Sequence, residues 1–378
     1  MFLPLQGLIV LEFCNFRAGA SAALRLADLG ARVIKVESTP LVGSARSFSI
    51  KDLWIKPDTL NFHAINRNKE SFVADVNNLE DRKLVKQLIK KADVLIHDFP
   101  VGATEKIELS YKQVKEINAK IIYTEITGFG KQGPWRMKPG QDLLVQAMSG
   151  LAYTTGNEGD GPVPFGLFAV ESICGIHAVQ VILGSLVRRQ KTGKGSYLEL
   201  SMLESAIAFQ FELFTTWFQN NESVKRSRIN NGNPLLGAPY GIYKTKNGFL
   251  ALAMMNIKDL QKVLCCEALS AFQQQEAFQQ RDKIKGIIAN ELEKENTEHW
   301  LHKLQSAGLW AAAVKNWENL SAEPGYKVLK PEQTLKTTDS RHLTTTRCPL
   351  RINGQVLTSP LPASPLGYHT ELITSQLL

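Results

Sequence analysis

The chain opens on an apolar run, Gly7–Phe13, bounded by turn residues, which predicts a buried strand. Ala20–Leu29 is rich in helix formers and stops at Gly30, a helix C-terminal signal. Arg32–Glu37 then reads as a second strand. Strand, helix and strand in that order make a βαβ unit, which implies a parallel sheet. The alternation continues with a strand at Ser71–Asp75, an amphipathic helix at Glu80–Lys90 and a strand at Val94–His97. A helix at Lys112–Ile117 and a strand at Ile121–Glu125 follow. Ile173–Arg189 is a long apolar helix that closes on Arg188, Arg189 and Lys191, cations suited to a helix C-terminus. Next come a strand at Tyr197–Ser201 and one apolar helix over Leu203–Trp217. The pattern predicts a doubly wound α/β domain over roughly the first 200 residues.

The texture changes at Gln219–Pro239, which is polar and rich in Asn, Gly and Pro and reads as a linker or site loop. Tyr240–Met254 predicts a hairpin, and its Lys246-Asn247-Gly248 turn favours type I′. Helices are expected at Ile257–Glu267, Asp282–Lys294 and Thr297–Ala307, and short strands flank a second Asn-Gly turn, Asn353-Gly354. These segments suggest a smaller α+β domain, with the tail free to return to the first. No stretch approaches the ~20 uninterrupted apolar residues of a membrane helix. The N-terminus has no basic n-region, so neither a signal nor a transit peptide is read, and a cytoplasmic location is expected.

Composition narrows the chemistry. The 378 residues are 44% hydrophobic and 21% charged, ordinary for a globular chain with room for two or more domains. Five dispersed cysteines argue against a disulfide framework and for a reducing compartment. Neither they nor the seven histidines have metal-ligand spacing, so no metal site is expected. The formal charge of +8 is spread along the chain. A solvated basic surface is the plain reading, and a polyanionic small molecule such as a nucleotide or coenzyme A is the functional one. No basic-aromatic run supports nucleic acid.

Several sites are disfavoured outright. Between the first strand and its helix only Gly19 is present, so the GxGxxG of a dinucleotide site is missing. Lys191-Thr-Gly-Lys-Gly-Ser196 follows a helix, whereas a P-loop precedes one, and it reads as a basic turn. There is no GxSxG elbow, and Cys174 lies in an apolar helix as a core thiol. Two features stay open. Gly128-Phe-Gly-Lys-Gln-Gly-Pro-Trp135 is either a turn-rich connection or a loop that brings backbone close to a ligand. Glu171, at the mouth of the long apolar helix, either complements the helix dipole, the reading its position favours, or is a buried nucleophile.

Taken in order, the motifs resemble one family. Gly7–Glu12, Leu26–Glu37, Asn66-Arg-Asn-Lys69, Ala92–Ile96, Ile126–Pro134, Lys191–Gly195 and Pro365–Thr370 are similar to stretches of the family III CoA-transferases. That group includes formyl-CoA, carnitine-related and bile-acid-related transferases. The resemblance implies a large Rossmann-like α/β domain, an inserted smaller α+β domain and an interlocked, ring-like homodimer. The boundaries expected are 1–218 for the large domain, 219–330 for the small one, and 331–378 for a segment returning to the large one. It also implies acyl-CoA and a small carboxylic acid as substrates, with no permanently bound cofactor.

The resemblance places the family's nucleophile, an aspartate, at Glu171, with Gly175 and Lys191–Gly195 fixing the register. It implies coenzyme A contacts at Arg17 and Ala18, at Asp98-Phe99-Pro100, at Lys106, and at Gln141 and Asp142. Asp98 stands where the family has asparagine, and it sets an acid near a polyanion. The racemases of the same family need a histidine base at the Gln141 position, and glutamine cannot abstract a proton at neutral pH. Three readings follow: a CoA-transferase working through Glu171, a CoA-binding homologue with a degenerate site, and an α-methylacyl-CoA racemase-like epimerase.

Overall fold

Six strands form one sheet in the computed structural model, which describes residues 2–38, 45–55 and 57–378. In chain order they are β1 (Ile9–Phe13), β2 (Arg32–Glu37), β3 (Glu70–Val73), β4 (Val94–His97), β5 (Ile122–Thr127) and β6 (Ser196–Ser201). In space the order is β3-β2-β1-β4-β5-β6, and every neighbouring pair is parallel. This is the strand order of the doubly wound dinucleotide-binding fold, reached without its glycine fingerprint. Strand order reverses between β1 and β4, and a crevice opens beyond the carboxyl ends of strands at such a point.

The strands are apolar because both faces are covered. Leu11, Ile34, Phe72, Leu95 and Tyr123 pack with Val85, Leu88 and Ile89 of helix α3 (Leu79–Lys91) in one core. One polar group interrupts it. Glu12 lies in β1 between the ammonium groups of Lys35 (2.9 Å) and Lys69 (2.8 Å), all three buried. Lys69 also donates to the Ala20 carbonyl of helix α1 (Arg17–Asp28), so this ion cluster fixes α1 against the carboxyl end of β1.

Helix α7 (Ala169–Thr192) begins earlier and runs longer than its apolar pattern predicts. It is the one helix, among the described residues, long and apolar enough to cross a membrane. Its buried residues Val170, Cys174, Ala178, Ile182 and Leu186 recur every fourth position, the stripe of a helix packed on a protein core. Gly175 lies tight against α1, where a Cβ would stand 2.3 Å from Ser21 Oγ and 2.8 Å from the Ala18 carbonyl oxygen. The Lys191–Ser196 stretch is the turn from α7 to β6, with Gly193 in the left-handed region at φ 69°.

The chain divides into two units. The first contains Met1–Val145, Phe168–Phe209 and Val328–Leu378, and the second Gln146–Leu167 and Gln210–Lys327. In the first unit the final segment lies along β3. Ser71 exchanges hydrogen bonds with His369, Val73 N–H donates to Thr370 Oγ1, and Ile373 enters the sheet core. Asn353 and Gly354 both take positive φ (50° and 78°), as a type I′ turn demands.

The second unit has its own core. Strands β7 (Gly241–Lys244), β8 (Phe249–Leu252) and β9 (Ala311–Ala313) form an antiparallel sheet, and Tyr243, Leu250, Leu260, Ile288 and Trp300 pack together. The type I′ turn expected at Asn247-Gly248 is not formed, because neither residue has positive φ. Asn247 instead turns its side chain to accept the Thr297 N–H at 2.8 Å, at the start of the helix Thr297–Ser306. The single helix expected over Leu203–Trp217 is two, α8 (Met202–Phe209) and α9 (Phe211–Asn220). The break falls at Gln210, whose side chain donates to the Ser149 carbonyl at 3.1 Å.

Candidate active site

A cleft of about 520 Å³ lies at the carboxyl ends of β1, β4 and β5, where the strand order reverses. One wall is the β1–α1 turn, with Asn15, Phe16 and Ala18. A second is Asp98-Phe99-Pro100 after β4. The third runs from Gly128 after β5 through Arg136, Met137 and Lys138 to Gln141. That last loop is drawn shut by two glycines packed backbone to backbone. A Cβ on Gly128 would lie 2.3 Å from the Gly140 Cα, and one on Gly140 would lie 2.5 Å from the Gly128 Cα.

Helix α1 has no capping side chain of its own, so the amides at its start need outside acceptors. Two carboxylates supply them. Asp98 accepts from Asn15 N–H (3.0 Å) and Phe16 N–H (2.8 Å), and Glu171 Oε2 accepts from Arg17 N–H at 2.7 Å. The positive end of the helix dipole favours this placement of negative charge. Asp98, expected beside a polyanion, therefore spends its charge on the turn's own backbone. Burial still outweighs these bonds and raises its pKa to about 6.

Glu171 lies in the first turn of α7 and is buried, with 4% of its surface exposed. Its own N–H donates to the Asp142 carboxylate (2.8 Å), which sits at the start of helix α6 (Asp142–Met148). Burial pushes the Glu171 pKa up to about 7. The Arg17 amide and guanidinium pull it down, and the Asp142 and Asp98 charges push it up. Glu171 does not line the cleft itself but bonds to the turn that does, and a carboxylate poised near neutrality at a helix start has the traits of a nucleophile or base.

CoA-transferase family III, as a sequence family, matches residues 5–370. The chain belongs to that family. A succinate–glutarate CoA-transferase of Agrobacterium fabrum is 28% identical over 99% of this chain and 96% of its own. The human succinyl-CoA:glutarate CoA-transferase is also 28% identical, over 85% of this chain and 74% of its own. Among solved structures, a CAIB/BAIF family protein from Brucella suis superposes with a TM-score of 0.86 at 26% identity, covering all of both chains. CoA-transferases take CoA thioesters as substrates, which accords with the absence of any permanent cofactor in the sequence expectation.

Within this family III chain, the structure gathers most of the residues expected at the site. Ala18, Asp98, Phe99, Pro100 and Gln141 line the cleft. Gln141 accepts the Leu143 N–H at 3.0 Å, so its side chain is engaged in starting α6. Asp142 supports Glu171 behind the cleft. Two residues stand apart. Lys106, exposed in the short helix Ala103–Lys106, does not line the cleft. Arg17 does not line it either. Its guanidinium donates to Asn61 Oδ1 and lies 4.5 Å from the centroid of the Phe168 ring. Sequence reading passed over Arg136, Lys138, Asn61 and Phe168. The first two follow the glycine-rich loop directly and were legible as cations beside a close-approach loop. The other two reach the site only through the fold.

Proposed function

We propose that this chain moves coenzyme A from an acyl-CoA donor to a small carboxylic acid through covalent intermediates on Glu171. The observation that carries the reading is the bond from the Arg17 main-chain N–H to Glu171 Oε2, which holds a buried carboxylate at the helix start flanking the cleft.

The Glu171 carboxylate attacks the thioester carbonyl, the C–S bond breaks, and a mixed anhydride and CoA thiolate result. The thiolate attacks the glutamyl carbonyl, which releases the donor acid and leaves a glutamyl-CoA thioester. The acceptor carboxylate attacks that thioester and frees the thiolate again. The thiolate then attacks the acceptor's acyl carbonyl, and Glu171 leaves as a carboxylate. Asp98 and Glu171 occupy the Asn15, Phe16 and Arg17 amides, so the tetrahedral oxyanions would be steadied by the next amides of the first turn of α1, those of Ala18 and Gly19. Gly130, in the glycine-rich loop after β5, gives its N–H to Thr127 Oγ1 at 3.0 Å and is already spent. Arg136 and Lys138 at the cleft wall provide charge for the phosphates of coenzyme A.

The relatives named for succinate and glutarate support carboxylic acids as both donor and acceptor. The racemase reading is weaker here, since the Gln141 amide cannot take a proton from substrate and its side-chain oxygen is occupied. Incubation with acyl-CoA and hydroxylamine, followed by mass spectrometry, tests the proposal. A hydroxamate on Glu171 is expected, and a turning-over enzyme with Glu171 unmarked overturns it. A homodimer is part of the same reading. The exposed apolar side chains Ile176 and Val187 on α7 support it, and light-scattering mass checks it.

A further inference from the structure

Arg17 has no ion-pair partner among the described residues. Its guanidinium offers five N–H donors, of which one is spent, on Asn61 Oδ1 at 2.8 Å. The Phe168 ring lies beneath the guanidinium, 4.5 Å away, and Asn61 pins one end of it. Orientation is thus set before any ligand arrives. Glu171 takes the main-chain N–H of Arg17 and leaves its side chain unpaired. A partly buried arginine held flat with most of its donors unspent is built to receive a planar anion, because its fork matches a carboxylate bidentately.

The position says which anion. The flanking residues Phe16 and Ala18 line the cleft, and the Arg17 side chain does not. A phosphate lying in that cleft is therefore not what it meets. The same residue holds the nucleophile through its backbone, so an anion on its side chain lies within one residue's reach of the reacting carbonyl.

We propose that Arg17, oriented by Asn61 and Phe168, selects the acceptor by binding a second carboxylate that takes no part in the reaction. The acceptor class is then a short-chain dicarboxylic acid, with one carboxylate on Arg17 and the other attacking the Glu171 thioester. No bond to the spectator carboxylate forms or breaks. This inference rests on the transfer reading above.

The test compares glutarate with pentanoate, acids of equal carbon count, at one fixed acyl-CoA donor. Wild-type enzyme is expected to favour glutarate in kcat/KM by roughly 10- to 100-fold, the range for a charged hydrogen-bonded pair. Arg17→Met brings the ratio close to one through the KM for glutarate, and the KM for acyl-CoA stays within about twofold. Arg17→Lys, which keeps the charge and loses the fork, retains part of the preference. Hydroxamate formation on Glu171 in Arg17→Met shows that the fold and the nucleophile are intact. A preference that survives Arg17→Met, or a rise in the acyl-CoA KM in place of the glutarate KM, overturns the assignment. If the wild type transfers to both acids equally, Arg17 is wrong and the transfer reading stands. If it transfers to neither of them nor to any other carboxylate, the transfer reading itself falls.

Discussion

The Arg17 main-chain N–H donates to Glu171 Oε2 at 2.7 Å across 154 positions of sequence. That bond joins the first turn of α1 to the first turn of α7, and it sets where the carboxylate stands relative to the cleft. Glu171→Asp keeps the charge but draws the oxygens back by on the order of 1.5 Å, enough to break the bond. A loss of roughly 10- to 100-fold in kcat is expected, with little change in the KM for acyl-CoA. Steady-state kinetics on the purified variant checks it, and an unchanged kcat would contradict the geometry.

The pH profile follows from the protonation that burial imposes. Glu171 attacks as the anion, and its pKa is raised to about 7. For the free enzyme, kcat/KM should climb with pH through about 7 and then level. Removing the nearby charge with Asp98→Asn takes away one of the influences that raise that pKa, so the limb should move to lower pH.

Stability carries the opposite sign. Glu171 holds its proton more tightly folded than unfolded, with a pKa near 7 in place of the ordinary 4.5. Its contribution to folding is fully present below the unfolded value and is lost as pH rises through the folded one. Glu171→Gln removes that dependence. Urea denaturation should show the variant gaining on the wild type by on the order of 2–3 kcal/mol more at pH 8 than at pH 5.

Gly175→Ala places a methyl against Ser21 Oγ and the Ala18 carbonyl oxygen. The carbonyl is backbone and cannot rotate away, so α7 must move off α1. A destabilisation of about 1–3 kcal/mol is expected, together with a fall in kcat, because the Arg17–Glu171 bond lies one turn away. Gly175→Ala combined with Ser21→Ala should recover little of either.

Arg136→Ala and Lys138→Ala are predicted to raise the KM for acyl-CoA and leave the KM for the acceptor acid unchanged. Both side chains line the cleft and neither bonds to Glu171. Initial rates at varied donor concentration, repeated in higher salt, check this, since salt should mimic the substitutions.

The α/β alternation was legible because the central strands β1, β2 and β4 are buried on both faces and show as short, mostly apolar runs. The βαβ pattern pointed to the parallel sheet, and the family resemblance, in register with Gly175 and Lys191–Gly195, pointed to Glu171. Sequence could not show that Asp98 turns to the backbone of the β1–α1 turn, because that bond joins segments 82 and 83 residues apart. Nor could it show that Arg17 leaves the cleft for Asn61 and Phe168. The Leu203–Trp217 stretch looked like one helix because the break at Gln210 is set by a distant carbonyl, Ser149, and by no local proline or glycine. Asn247 likewise looked like a turn former, but the Thr297 amide competes for its side chain.

Strand β3 ends the sheet, and it would present open N–H and C=O groups to solvent. His369 and Thr370 occupy them. The final residues thus act as a terminator for strand addition. A chain shortened before Pro365 would keep Arg17, Glu171 and the cleft, but it would carry a free strand edge onto which another such chain could add. Loss of the tail should therefore show first as self-association, ahead of any fault in the chemistry.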